Sequence, residues 1–167
     1  MLRRHSRYNV AHTTYFVTTT IVERGSWLVT PEVCNRLSEI IEEYRAYYNL
    51  LCIGYCLMPD HIHLILNQQQ DGLAVSNFME RVKSQSARYC KPVGYPHEQK
   101  FWRRRFDCMS LPGTRALQTK LRYVHWNPVR KGLVTEPQFY PWSSARDWHK
   151  GEQTGPITTC FETGIVC

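Results

Sequence analysis

The run Leu57-Met58-Pro59-Asp60-His61-Ile62-His63-Leu64-Ile65-Leu66 decides the fold. Pro59-Asp60 is a turn signal. The apolar stretch Leu50 to Leu57 before it and His61 to Asn67 after it read as the two strands of a hairpin. Side chains alternate along a strand, so His61 and His63 share one face while Ile62, Leu64 and Leu66 share the other. One face can therefore join a core, and the opposite face carries two imidazoles side by side.

The flanking sequence extends this hairpin into a sheet. Thr13 to Val22 is dense in β-branched and aromatic residues and predicts a strand. Thr30-Pro31-Glu32 has a capping hydroxyl, a proline at the first helical position and an acid in the first turn. Val33, Leu37, Ile40, Ile41 and Tyr44 follow at helical spacing, so a helix runs to about Tyr48. A second helix spans about Ala74 to Tyr89, Lys91 to Lys100 is a loop with Pro92, Gly94 and Pro96, and Phe101 to Met109 reads as a fourth strand. A third helix starts at Gly113 or Thr114 and is expected to end before Pro128, because the residue before proline disfavours the helical region. Trp142 to Trp148 predicts a short last helix.

That order predicts an α+β, ferredoxin-like split βαβ fold: an antiparallel sheet with helices on one face, the other face free to carry a site, and a C-terminal helix bearing Tyr123. The 167 residues are expected to form one domain, with a basic arm over 1–10 and a poorly patterned tail over 150–167. A 43% hydrophobic fraction argues against a disordered chain, and no apolar run approaches the length of a membrane span. Seven cysteines without a CxxC pair, and no visible secretory signal, point to free thiols in a cytoplasm. Cys52 and Cys56 share strand parity, so both are expected on one face. The net charge of +7 favours a polyanionic partner.

Two histidines on one face of a strand can grip a divalent metal, although such a pair can equally be solvent-facing or hydrogen-bonded. Tyr123 and Asn127 lie one helical turn apart on one face of the third helix. A tyrosine can attack phosphorus to form a phosphotyrosine, but its ordinary pKa of about 10 calls for help at neutral pH, which a divalent metal supplies. The Asn127 carbonyl suits a hard cation as third ligand, and imidazole with carbonyl oxygen and water favours Mg²⁺ or Mn²⁺. Taken singly, Tyr123 also fits a core tyrosine and Asn127 a helix end beside proline.

Met58-Pro59-Asp60-His61-Ile62-His63-Leu64-Ile65 resembles the HUH motif (histidine, hydrophobic residue, histidine) of IS200-like single-tyrosine transposases. Tyr123-Val124-His125-Trp126-Asn127-Pro128-Val129-Arg130-Lys131-Gly132-Leu133-Val134 resembles the tyrosine segment of their REP-associated branch. Tyr15-Phe16-Val17-Thr18, Phe101-Trp102 with Arg105-Phe106, and Tyr140-Pro141-Trp142-Ser143-Ser144 extend the likeness to about Trp148. The resemblance implies that His61 and His63 bind metal and that Tyr123 attacks single-stranded or hairpin DNA, giving a 5′-phosphotyrosine and a free 3′-hydroxyl for strand transfer. Asn127 stands where other IS200 members carry glutamine, so the shorter side chain coordinates directly or through a water. The resemblance also implies a monomer acting in cis, where other members are dimers.

Lys100-Phe101-Trp102-Arg103-Arg104-Arg105-Phe106 interleaves cations and rings, as single-stranded nucleic acid surfaces do, or is a basic strand with its rings in the core. Arg103, Arg104 and Arg105, the arm residues Arg3, Arg4 and Arg7, and Arg130 and Lys131 beyond the tyrosine helix are the candidate DNA contacts. A non-catalytic nucleic-acid-binding module on the same fold is the competing expectation; it accounts for charge and rings but not for the histidine pair with Tyr123 and Asn127.

Overall fold

The hairpin forms where the sequence places it. In a computed structural model that describes residues 10–91, 94–96 and 98–162, β2 (Leu50–Met58) and β3 (His61–Gln68) pair antiparallel with Met58 opposite His61. The other elements are β1 (Thr13–Thr20), α1 (Pro31–Tyr47), α2 (Ala74–Tyr89), β4 (Asp107–Ser110), α3 (Gly113–Arg130) and α4 (Ala145–Lys150). The sheet order is β2-β3-β1-β4, all antiparallel, as the split βαβ pattern requires. α1 opens as read: the Thr30 hydroxyl accepts the Val33 N–H at 3.4 Å, and Pro31 stands in the first turn.

Ile62, Leu64 and Leu66 of β3 join Tyr15, Val17, Tyr55 and Leu57 in a core shared with Leu37, Ile41, Phe78 and Val82 of α1 and α2. The opposite face, expected to be free, is covered. Ile53, Cys56, Met58 and Ile65 form a second core with Leu117, Leu121 and Val124 of α3. The amphipathic α3 has an apolar stripe to bury, and the only sheet face left to it is the one that carries the histidines.

Cys52 and Cys56 lie on opposite faces, in the first and second cores respectively, against the parity expectation. The cause is a bulge: the pairing of β2 with β3 shifts between Cys52 and Gly54, and one extra residue reverses the alternation. The bulge brings Gly54 under α3. A Cβ at this position would come within 2.4 Å of Leu121 Cδ1, so the glycine permits the close approach of helix and strand.

The fourth strand is shorter than expected. Only Asp107–Ser110 pairs with β1, and Trp102 makes an isolated bridge to Ile21. Arg103–Arg105 between them are exposed, because three adjacent guanidinium groups stay in water rather than alternate into a sheet. α3 runs through Pro128 to Arg130, against the expected stop. Proline removes one hydrogen bond only two residues from the end, and Gly132 at φ 69° supplies the actual terminus. There the Gly132 N–H donates to the Val129 carbonyl and the Leu133 N–H to the Pro128 carbonyl, both at 2.9 Å.

Residues 151–160, after α4, lack hydrophobic periodicity, yet they are firmly held. Buried Asp147 accepts from the Thr154 N–H at 2.9 Å, the Thr154 hydroxyl at 2.6 Å, the Gly155 N–H at 2.9 Å and the Thr159 hydroxyl at 2.8 Å. The last helix is Ala145–Lys150, starting three residues later than expected. Among the described residues no helix is long and apolar enough to cross a membrane. Gly54→Val places methyl groups against Leu121, Ser144 and His125. It is expected to destabilise the fold by about 1–3 kcal/mol in urea unfolding, the usual range for overpacking.

Candidate active site

His61 and His63 occupy alternate positions on β3 and so emerge together beneath α3. Each ring is held from behind. His61 Nδ1 lies 2.5 Å from Asp60 Oδ1, and His63 Nδ1 lies 2.8 Å from the hydroxyl of Thr18, its cross-strand partner on β1. The two Nε2 atoms then face each other at 3.1 Å. Asn127 Nδ2 lies 2.8 Å from His63 Nε2. All three side chains are buried.

Electrostatics make this arrangement demanding. Burial pushes the His63 imidazole down to about 3, with the neighbouring His61 and Lys120 adding to the effect, so the ring is neutral at ordinary pH. Burial favours protonated Asp60, but the His61 hydrogen bond and the Arg24 guanidinium at 3.4 Å hold its carboxyl below the usual range. A carboxylate only accepts, so the His61 Nδ1–H donates to Asp60, and the Nε2 atom is turned toward His63. A divalent cation between the nitrogens satisfies both. Both nitrogens, 3.1 Å apart, would be available as donors to one such ion. Among the described residues no three His, Cys, Asp or Glu side chains converge, so the third protein donor available is the Asn127 carboxamide. Turning that amide by half a rotation presents Oδ1 where Nδ2 now stands. The Asn127 amide thus stands against the His63 edge of the pair.

Tyr123, one turn before Asn127, hangs beside this cluster. Its ring centroid is 5.6 Å from that of His63, and it is 39% exposed, open to a large substrate. Lys120 Nζ stands 5.1 Å from the Tyr123 ring centre and 4.7 Å from that of Phe16. The Arg130 guanidinium lies 5.2 Å from the Tyr123 ring centre. Two cations thus stand against the Tyr123 ring. The helix is fixed in register by His125, whose Nε2 is 2.9 Å from the Ser144 hydroxyl, which in turn accepts the Tyr55 N–H at 2.9 Å.

The fold brings together His61, His63, Tyr123, Asn127 and Arg130. Lys131 follows at the exposed helix end. The Arg103 N–H donates to the Thr20 carbonyl at 2.9 Å, and Thr20 pairs with His61, so the exposed Arg103–Arg105 segment lies at the histidine end of the sheet. Phe101 and Trp102 are buried in the first core, and the Trp102 indole donates to the Ser86 hydroxyl at 2.7 Å, so neither is a stacking surface. Arg3, Arg4 and Arg7 lie outside the described residues. Sequence inspection missed Thr18, Asp60 and Lys120. Asp60 directly precedes His61 and Lys120 stands three before Tyr123, both usable signals; Thr18 needed the strand register.

The family model described as "Transposase IS200 like" matches residues 9–127. A Haemophilus influenzae protein named as a REP-associated tyrosine transposase is 28% identical over 123 residues, 65% of this chain and 70% of that protein. A solved structure of a REP-associated tyrosine transposase bound to a REP hairpin superposes with a TM-score of 0.73 at 20% identity, covering 96% of this chain and 94% of that one. A Deinococcus radiodurans R1 structure named as a transposase gives 0.50 at 22% identity, over 74% of this chain and 95% of its own. These structures share the fold described above.

The His125 contact generates a pH prediction. Burial, opposed by the Asp147 charge, pushes His125 down to about 4 in the folded chain, against about 6.5 when unfolded. Below about pH 6.5 the unfolded chain binds the proton that the folded chain refuses, so stability falls with pH until about pH 4. Between about pH 7 and pH 5 this costs about 2 kcal/mol. His125→Gln should flatten the pH dependence of the urea unfolding free energy by that amount.

Proposed function

This chain belongs to the IS200-like transposase family, and on that footing we propose that it cuts and rejoins single-stranded hairpin DNA through a phosphotyrosine on Tyr123. The observation that carries this is the Tyr123 ring standing 5.6 Å from His63 while being open to solvent. A tyrosine so placed can meet a phosphate that rests against the histidine pair. The relative bound to a REP hairpin supports a hairpin substrate.

His61, His63 and Asn127 would hold a divalent cation, Mg²⁺ or Mn²⁺ by donor chemistry. When bound, that ion polarises the phosphoryl oxygens and offsets the charge of the transition state. The protein does the rest. Asp60 and Thr18 hold the imidazoles in orientation. Lys120 and Arg130 draw the scissile phosphate to the phenol and stabilise its extra charge. The Tyr123 oxygen bonds to phosphorus as its proton leaves to water, and the bond from phosphorus to the 3′ oxygen breaks. That oxygen takes up a proton and departs as a 3′-hydroxyl. A second strand's 3′-hydroxyl reverses the step, restoring the phosphodiester and the free tyrosine without an external energy source.

Tyr123 and the histidines come from one chain, which supports a monomer acting in cis. Arg103, Arg104, Arg105 and Lys131, together with Arg3, Arg4 and Arg7, would contact DNA phosphates around the site. Tyr123→Phe should abolish the protein–DNA adduct on denaturing gels while leaving hairpin binding within about twofold, since one hydroxyl is lost and no charge. Cleavage by Tyr123→Phe at the parental rate would remove Tyr123 as nucleophile, and full activity in chelator would remove the metal. Lys120→Ala should slow single-turnover cleavage about 10²-fold, the usual effect of removing one charge-stabilising donor, and Lys120→Arg should restore most of it.

A further inference from the structure

The face of α3 turned away from the histidines borders a groove of about 650 Å³, closed on its other side by the Pro137–Phe139 turn and α4. Trp126 is its most telling residue. This indole is 39% exposed, and among the described residues no aromatic ring stacks on it. Arg122, one turn earlier, flanks it; Gln118, Gln138 and His149 add hydrogen-bonding groups, and half-buried Trp148 lies across the groove. Trp148 is fixed, its Nε1 donating to the Ile53 carbonyl at 2.8 Å. Glu136, the one acid in the lining, is held by Gln138 and can accept from the amino edge of a base.

Two observations indicate what occupies the groove. From Gly113 to Thr135 the chain carries Arg115, Lys120, Arg122, Arg130 and Lys131 and no carboxylate, a field suited to a polyanion rather than an apolar peptide. Trp126 also stands three residues after Tyr123, so the two exposed rings are neighbours on the helix surface. A strand whose phosphate sits at Tyr123 would therefore have its neighbouring bases within reach of Trp126. We propose that this groove receives an unpaired nucleobase of that strand, stacked on Trp126 with its flanking phosphate on Arg122. This rests on Tyr123 being the residue that engages DNA. The groove then fixes which phosphate arrives at the tyrosine.

The test uses the full chain and a fluorescein-labelled DNA hairpin with single-stranded extensions at both ends, read by anisotropy in chelator. A matched set of hairpins carries one abasic site at each extension position in turn. Trp126→Ala should weaken binding to the intact hairpin about 5- to 150-fold, the range for losing one stacked base, and Trp126→Phe should recover most of it. One abasic position should weaken the parent chain by the same factor and leave Trp126→Ala unchanged, as a protein–DNA cycle requires of partners in contact. Binding by Trp126→Ala within about twofold of the parent, or equal abasic losses in both proteins at every position, would overturn the proposal. Adduct formation by the parent with Mg²⁺ on a denaturing gel is read separately: its absence beside an intact abasic cycle would sink the tyrosine chemistry and leave the base pocket standing.

Discussion

The seating of Leu121 over Gly54 is the contact on which the site depends. The sheet buries two faces, and only the second brings a helix across the histidines. Had β2 carried a side chain in place of Gly54, Leu121 would have to shift, and with it the helix that holds Asn127 2.8 Å from His63. A missing side chain on one strand thus sets distances at residues on another strand and on a helix. Packing interiors are dense enough to transmit such displacements undiminished.

The helix in place, the chemistry follows from burial with unequal compensation. His63 is driven neutral by its surroundings, Asp60 stays ionised through its partners, and the Nε2 atoms of the two imidazoles face each other at 3.1 Å. The tyrosine beside them is left open, with two cations against its ring that could not be buried cheaply. Buried imidazoles and an exposed phenol thus stand side by side.

Much of this was legible in the sequence because it rested on local rules. The Pro59-Asp60 turn and the alternation of β3 placed the imidazoles on one face, and the spacing of Tyr123 and Asn127 placed them on one side of a helix. What escaped was set by tertiary competition. The bulge at Ile53 reversed the parity of Cys52 and Cys56, which no composition rule announces. Pro128 was tolerated because the helix ends two residues later at Arg130, just before a glycine, Gly132, that the sequence also displayed. Arg103–Arg105 cut short a strand whose rings suited it, since hydration of three guanidinium groups outweighed propensity. Thr18 could join His63 only once the register of β1 against β3 was known.

The segment held by Asp147 has a consequence outside the site. β2 is an outer strand of the sheet, long and apolar, and an unpaired strand of that kind is a template for other chains. Its outer backbone groups are taken by its own chain: the Cys52 carbonyl by the Cys160 N–H at 2.7 Å, the Tyr55 carbonyl by the Ser144 N–H at 3.1 Å, and the Leu57 N–H by the Trp142 carbonyl at 2.8 Å. The opposite edge, β4, is four residues long and preceded by three arginines. One edge is sheathed and the other blunted, so the sheet offers little purchase for growth into fibrils or for edge-to-edge clumping of the folded protein.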